Sequence, residues 1–221
     1  MTASSGPRSS TEIRDYLVGQ LNMALRRPGM FGGEIALQLL LDHLVYTERQ
    51  DEAWAKEQQA MESRGAFTSI GVTGAFRALL VPDAYEYGVA SVYAEFVRAR
   101  GWLEADRVLT ADEYESMRQE LSIWVAQDRV LSEVLETFGA PSVLFGGSNP
   151  LYGKTLGYLT EQVEEPMLFF HLWNGTAPDA ESTWPPVYSE PVLLAVRCGT
   201  GPFRDTFTFT PEGKKRRPDA R

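Results

Sequence analysis

The sequence is poor in the residues that most enzymes and metal proteins draw on. It has one cysteine, Cys198, which excludes an intramolecular disulfide and any all-cysteine zinc site. That usage fits a reducing, cytoplasmic environment. Only two histidines, His43 and His171, are present, and no partner stands at metal-ligand spacing on the segment that carries His43. Long apolar runs are missing too. The richest, around Leu37 to Val45, is broken by Gln38, Asp42 and His43 and is far too short to span a bilayer. The first ten residues, MTASSGPRSS, lack the apolar centre of a signal peptide and read as a disordered tail. No cofactor motif is found.

Positive charge is also scarce, and it is unevenly placed. The net charge is −9, but the last eight residues, KKRRPDAR, carry +4 and Arg8 adds one more, which leaves −14 on residues 11–213. Such a body repels nucleic acid and would attract a basic protein partner. Acidity for its own sake, as a solubility feature, is the plainer reading. With 221 residues and 43% apolar content the chain can bury a large core.

The hydrophobic period changes once along the chain. Up to about residue 139 it is helical. Ile13, Leu17, Leu21 and Leu25 recur every four residues before Pro28-Gly29, and a second helix from Gly33 to Val45 is apolar almost all round, which predicts a place in the middle of a helical layer. Its one polar stripe is Glu34, Gln38 and Asp42, and His43 reads as a partly buried structural residue. Glu48 to Arg64 predicts a charged, mostly exposed helix; 65–81 predicts a loop with at most a short helix; Pro82 opens an amphipathic helix that ends before Gly101. Thr110 and Glu113 form a capping box, with Leu109 and Tyr114 as its staple. A last helical set, Leu131 to Phe138, closes at Gly139. After Pro141, Ser142–Phe145, Thr155–Thr160, Met167–Trp173, Val192–Arg197 and Asp205–Thr210 read as strands with short links, hence an antiparallel sheet. The expected fold is α+β, a helical part (11–140) and a β part (141–213) forming one composite domain, with a basic disordered tail over 214–221.

Few segments suggest chemistry. Val143–Thr155, VLFGGSNPLYGKT, invites comparison with a phosphate loop. Yet Ser148 stands where glycine is needed, Pro150 removes a donor, and the residues after Lys154-Thr155 read as strand and not helix. It is a turn between strands, with Lys154 at the surface. His171 lies mid-strand, with Met167, Phe169 and Trp173 on its own face and Leu168, Phe170 and Leu172 on the other, so the strand should be central and covered on both sides. Two readings stay open: a packed core histidine, or the polar anchor of a ligand pocket with Phe169, Trp173, Asn174 and, from the long Gly175–Pro186 connection, Trp184. In the second, His171 would be the catalytic residue if there is one; no motif brings Cys198 to it.

The most distinctive string is Arg26-Arg27-Pro28-Gly29-Met30-Phe31-Gly32-Gly33, a helix end, a tight turn and a glycine-led restart. Over residues 20–45 it resembles the RPGM(Y/F) turn of a loose set of small, uncharacterised bacterial proteins, some of them immunity-like proteins of toxin systems. The resemblance transfers no catalytic residue. It implies a non-enzymatic binding protein in which Arg27, Pro28, Gly29, Met30 and Phe31 form a structural turn and an acidic surface meets a protein partner. The alternative is a small-molecule enzyme or ligand-binding protein with its pocket at the helix–sheet junction around His171.

Overall fold

The computed structural model describes residues 9–176 and 186–218; Trp184 lies outside them. The periodicities become nine α-helices among the described residues: α1 (Ser10–Arg26), α2 (Pro28–Phe31), α3 (Gly33–Thr47), α4 (Asp51–Ser63), α5 (Val72–Arg77), α6 (Pro82–Ala99), α7 (Ala111–Trp124), α8 (Leu131–Phe138) and α9 (Pro211–Arg216). The strands are β1 (Val143–Phe145), β2 (Lys154–Tyr158), β3 (Leu168–Trp173), β4 (Val192–Arg197) and β5 (Phe207–Phe209). They form one antiparallel meander in the order β1-β2-β3-β4-β5, so the fold is α+β with β3 at its centre.

Local chemistry fixes the helix ends. The Thr110 hydroxyl accepts from the Glu113 amide at 3.2 Å while the Glu113 carboxylate accepts from the Thr110 amide at 2.8 Å. Ser9 and Glu12 do the same for α1. The helix therefore starts at Ser10, inside the stretch expected to be tail. Between α2 and α3, Gly32 and Gly33 take φ of 102° and 67°, a backbone turn that side chains with a Cβ resist.

Helices cover both faces of the sheet. Leu21 and Leu25 of α1, Leu37 and Leu41 of α3, Phe76 of α5 and Val89 and Tyr93 of α6 pack with Phe169, Trp173, Phe207 and Phe209 on one side. Tyr114 and Met117 of α7 and Val134 and Phe138 of α8 meet Leu156, Leu168, Phe170 and Leu172 on the other. The two apolar faces of β3 require this arrangement, since each needs its own cover.

Several expectations need correction. The α3 helix is not enclosed: Ile35 and Tyr46 are 78% and 79% exposed, Leu39 is 56% exposed, and His43 is exposed beside them. Asp205 and Thr206, expected to open the last strand, belong to a 3₁₀ turn over residues 203–206, and Thr206 and Thr210 are buried while Thr208 is exposed. The basic C-terminal segment is helical through Arg216, whose guanidinium sits 4.2 Å from the Trp173 ring centre. That helix lies so close to β4 that a Cβ on Gly213 would fall 1.8 Å from the Leu194 carbonyl oxygen. Leu194 is also the extra residue of a β-bulge opposite His171 and Leu172.

Phe207 fills the space between Phe76, Phe203, Phe209 and His171, with ring centres 5.1 to 5.9 Å apart. Phe207→Ala should lower the unfolding free energy by about 3–5 kcal/mol in urea denaturation. A loss below about 1 kcal/mol would mean that the aromatic cluster contributes little to the core.

Candidate functional site

His171 is fully buried. Its Nδ1 lies 3.1 Å from the Thr155 hydroxyl, and its ring is stacked on Phe207 and set edge-on to Phe76. The Nε2 has no hydrogen-bond partner among the described residues. Burial, and then the Arg197 charge, hold the imidazole well below its ordinary range, so it stays neutral. Its companions serve other contacts. Phe169 lies under the Arg197 guanidinium at 4.3 Å, Trp173 under Arg216, and the Asn174 side chain ties Leu151 O and both backbone polar groups of Tyr188. Cys198 packs with the α7–α8 side of the sheet, opposite His171, and burial pushes its thiol up, away from nucleophilic character. A Cys/His pair is not assembled, and the enclosed ring leaves His171 no exposed edge toward solvent.

The two most distinctive strings in the sequence do meet. The Gly146 amide donates to Arg26 O at 2.7 Å, and a cleft of about 490 Å³ opens between the Arg27–Met30 turn, Tyr87 of α6 and the Gly146–Asn149 loop. Lys154, expected at the surface, is 3% exposed. Its ammonium donates to Gly147 O at 3.1 Å and Asn149 O at 2.7 Å. The amine that a phosphate loop would aim at its ligand thus braces the loop itself, and burial lowers its pKa.

A second polar constellation was not anticipated. Arg197, fully buried at the end of β4, donates through Nη1 to both Glu95 oxygens at 3.1 and 3.0 Å and through Nη2 to the Ser91 hydroxyl at 3.2 Å. One turn along α6, Arg98 donates to the carbonyls of Glu165, Thr160 and Gln162 at 2.7, 2.8 and 2.5 Å and so shapes the β2–β3 connection. Beside them a cleft of about 330 Å³ is walled by α4, α6 and that connection, with Glu57, Arg64, Glu95 and Arg98 on its polar side. Burial, ahead of the opposing Arg64 charge, raises the Glu57 pKa. The available signals were an arginine closing the apolar strand VLLAVR and a glutamate amid the buried positions Val92, Tyr93 and Phe96. Among the described residues no group of three His, Cys, Asp or Glu side chains could hold a metal ion, and no helix is long and apolar enough to cross a membrane.

No protein-family model, curated protein or solved structure matches the chain.

The buried imidazole of His171 and the buried Arg197–Glu95 pair each set an expected outcome. A neutral buried histidine binds fewer protons than the unfolded chain does, so its contribution to stability is lost as pH falls below the unfolded value of 6.5. His171→Gln, which can keep a bond to Thr155, should flatten the decline in stability between about pH 7 and 5; an unchanged slope in urea melts would show that His171 titrates normally. Glu95→Gln leaves the Arg197 guanidinium buried without its counter-charge and should cost about 3–5 kcal/mol. Adding Arg197→Met should recover at least half of that loss; if thermal denaturation of the double variant shows no recovery, the pair is held by something other than charge.

Proposed function

We propose that the protein is a non-catalytic binding protein, immunity-like in kind, that engages a basic protein partner. The observation that carries this reading is the uncovered outer face of α3. Ile35, Leu39 and Tyr46 fall on one side of the helix and are more than half exposed, and Ile70, 55% exposed, lines the same shallow depression as Ile35. Apolar side chains repeated along one helix face and left in solvent mark an interaction surface, because each is stabilised by being covered. Asp42 stands exposed within the stripe, and Asp51 and Glu52 are exposed at the start of the next helix. Residues 9–218 carry −10 once the basic last helix is included, so a positively charged partner is attracted and a nucleic acid repelled.

The face is built to be presented and not to move. The Glu34 carboxylate accepts from the Val72 and Thr73 amides at 2.6 and 2.8 Å and from the Tyr93 hydroxyl at 2.6 Å, which locks α3 to α5 and α6. A rigid helix loses little conformational entropy when a partner docks on it.

The test is capture from a lysate of the source cells on the immobilised protein, with the Ile35→Glu/Leu39→Glu variant in parallel. The expected partner is basic, is lost from the variant, and associates roughly tenfold more slowly as salt is raised from low to high. Capture undiminished in the variant, or an association rate indifferent to salt, would refute the reading.

A further inference from the structure

The 330 Å³ cleft between α4, α6 and the β2–β3 connection holds two charges that the fold matches only in part, Glu57 and Arg64. Glu57 is half-buried on its wall, and its carboxylate has neither a hydrogen bond nor an ion pair among the described residues. Arg64 follows seven residues later, on the same side of the α-helical segment and roughly 10 Å further along it. Its side chain is 15% exposed, and its one ion pair is a long 3.6 Å contact to a Glu95 oxygen that Arg197 already binds. Two other polar groups of the cleft are engaged. Arg98 is spent on three carbonyls, and the Glu165 carboxylate accepts from the Thr160 hydroxyl at 2.6 Å. Phe96, Pro166 and Met167 supply apolar wall.

A partly desolvated carboxylate and a partly desolvated guanidinium that feel each other's charge but make no direct ion pair can each be matched by a ligand carrying both opposite charges. A dianion such as a phosphate is disfavoured, because Glu57, Glu95, Glu164 and Glu165 all face the same space. A simple amine would leave Arg64 short of a partner. We propose that this cleft is a binding site for a free α-amino acid with an apolar side chain, its ammonium on Glu57, its carboxylate on Arg64 and its side chain against Phe96 and Met167. A zwitterion has no net charge, so the acidic body does not repel it. The volume is ample for a single amino acid. The site lies on α4 and α6, apart from the outer face of α3, and it stands whether or not a protein docks there.

The experiment is calorimetric titration of the full chain with L-leucine, L-methionine, L-valine and L-phenylalanine, each beside its N-acetyl and amide derivatives. At least one free amino acid should bind with a Kd of about 1 mM or tighter, and loss of either charge should weaken it about tenfold or more. Glu57→Gln, which breaks no hydrogen bond or ion pair among the described residues and should leave the circular dichroism spectrum unchanged, should weaken the free amino acid by a similar factor. It should leave the N-acetyl form, which has no ammonium to lose, where it was. The proposal is overturned if none of the four binds at about 10 mM, if a derivative binds as well as its parent, or if Glu57→Gln binds the parent undiminished. Should that variant fail to fold, the comparison of parent and derivatives on the unmodified protein decides alone.

Discussion

The Arg197–Glu95 pair is the constraint around which the two halves of the molecule are arranged. A guanidinium with no solvent exposure is tolerable only with a counter-charge and hydrogen bonds in place, and α6 provides both from Glu95 and Ser91. Phe169 and Phe203 flank the charge with their rings. The pair thereby sets where α6 crosses the sheet. That placement lets Arg98 reach the β2–β3 connection and puts Tyr93 in range of Glu34. A shift of α6 along the sheet would unmake all three at once. The cost of burying the ion pair is the ordinary cost of fixing one register for an amphipathic helix that could otherwise slide.

The same helix separates the kinds of surface the protein exposes. Toward α3 it supports a rigid, apolar face that no described residue covers. Toward α4 it closes one side of a cleft lined with charge. The two lie on different flanks of the helical layer, which leaves room for a small molecule and a macromolecule to be held independently. His171, by contrast, sits where the layer meets the sheet and contributes packing, with its one polar contact turned to Thr155.

Much of the fold was legible in the sequence because single-residue signals agreed with the longer periodicities. Thr110 with Glu113 marked the start of α7, Gly139 the end of α8, and the opposed apolar faces of β3 announced a central strand covered on both sides. What the sequence concealed was the direction in which ambiguous residues face. A helix apolar all round cannot say which side is bare, so Ile35 and Leu39 read as core. Lys154 read as surface because a buried ammonium depends on two carbonyls contributed by its own loop, a purely conformational fact. The last helix was masked by its basic composition, although Gly213, the one residue small enough for its contact with Leu194, was there to be seen. Of the sites, the RPGM turn and the glycine loop stood out singly but gave no hint that they touch. Glu57 and Arg64 looked like the solvated face of a charged helix, since only the arrival of the β2–β3 connection makes a cleft of it.

The meander topology bears on how the chain is made. Among the described residues every strand lies after residue 142, whereas α1 and α6, which pack on one face of the sheet, and the helices packed with them are complete by residue 99. During synthesis those helices leave the ribosome long before the sheet that buries their inner sides, and Glu95 must wait about a hundred residues for Arg197. Glu95 is comfortable in water during that interval, as a buried apolar residue in its place would not be. The polar seam in the middle of the core therefore also interrupts the greasy surface that lies open to neighbouring nascent chains until the sheet is made.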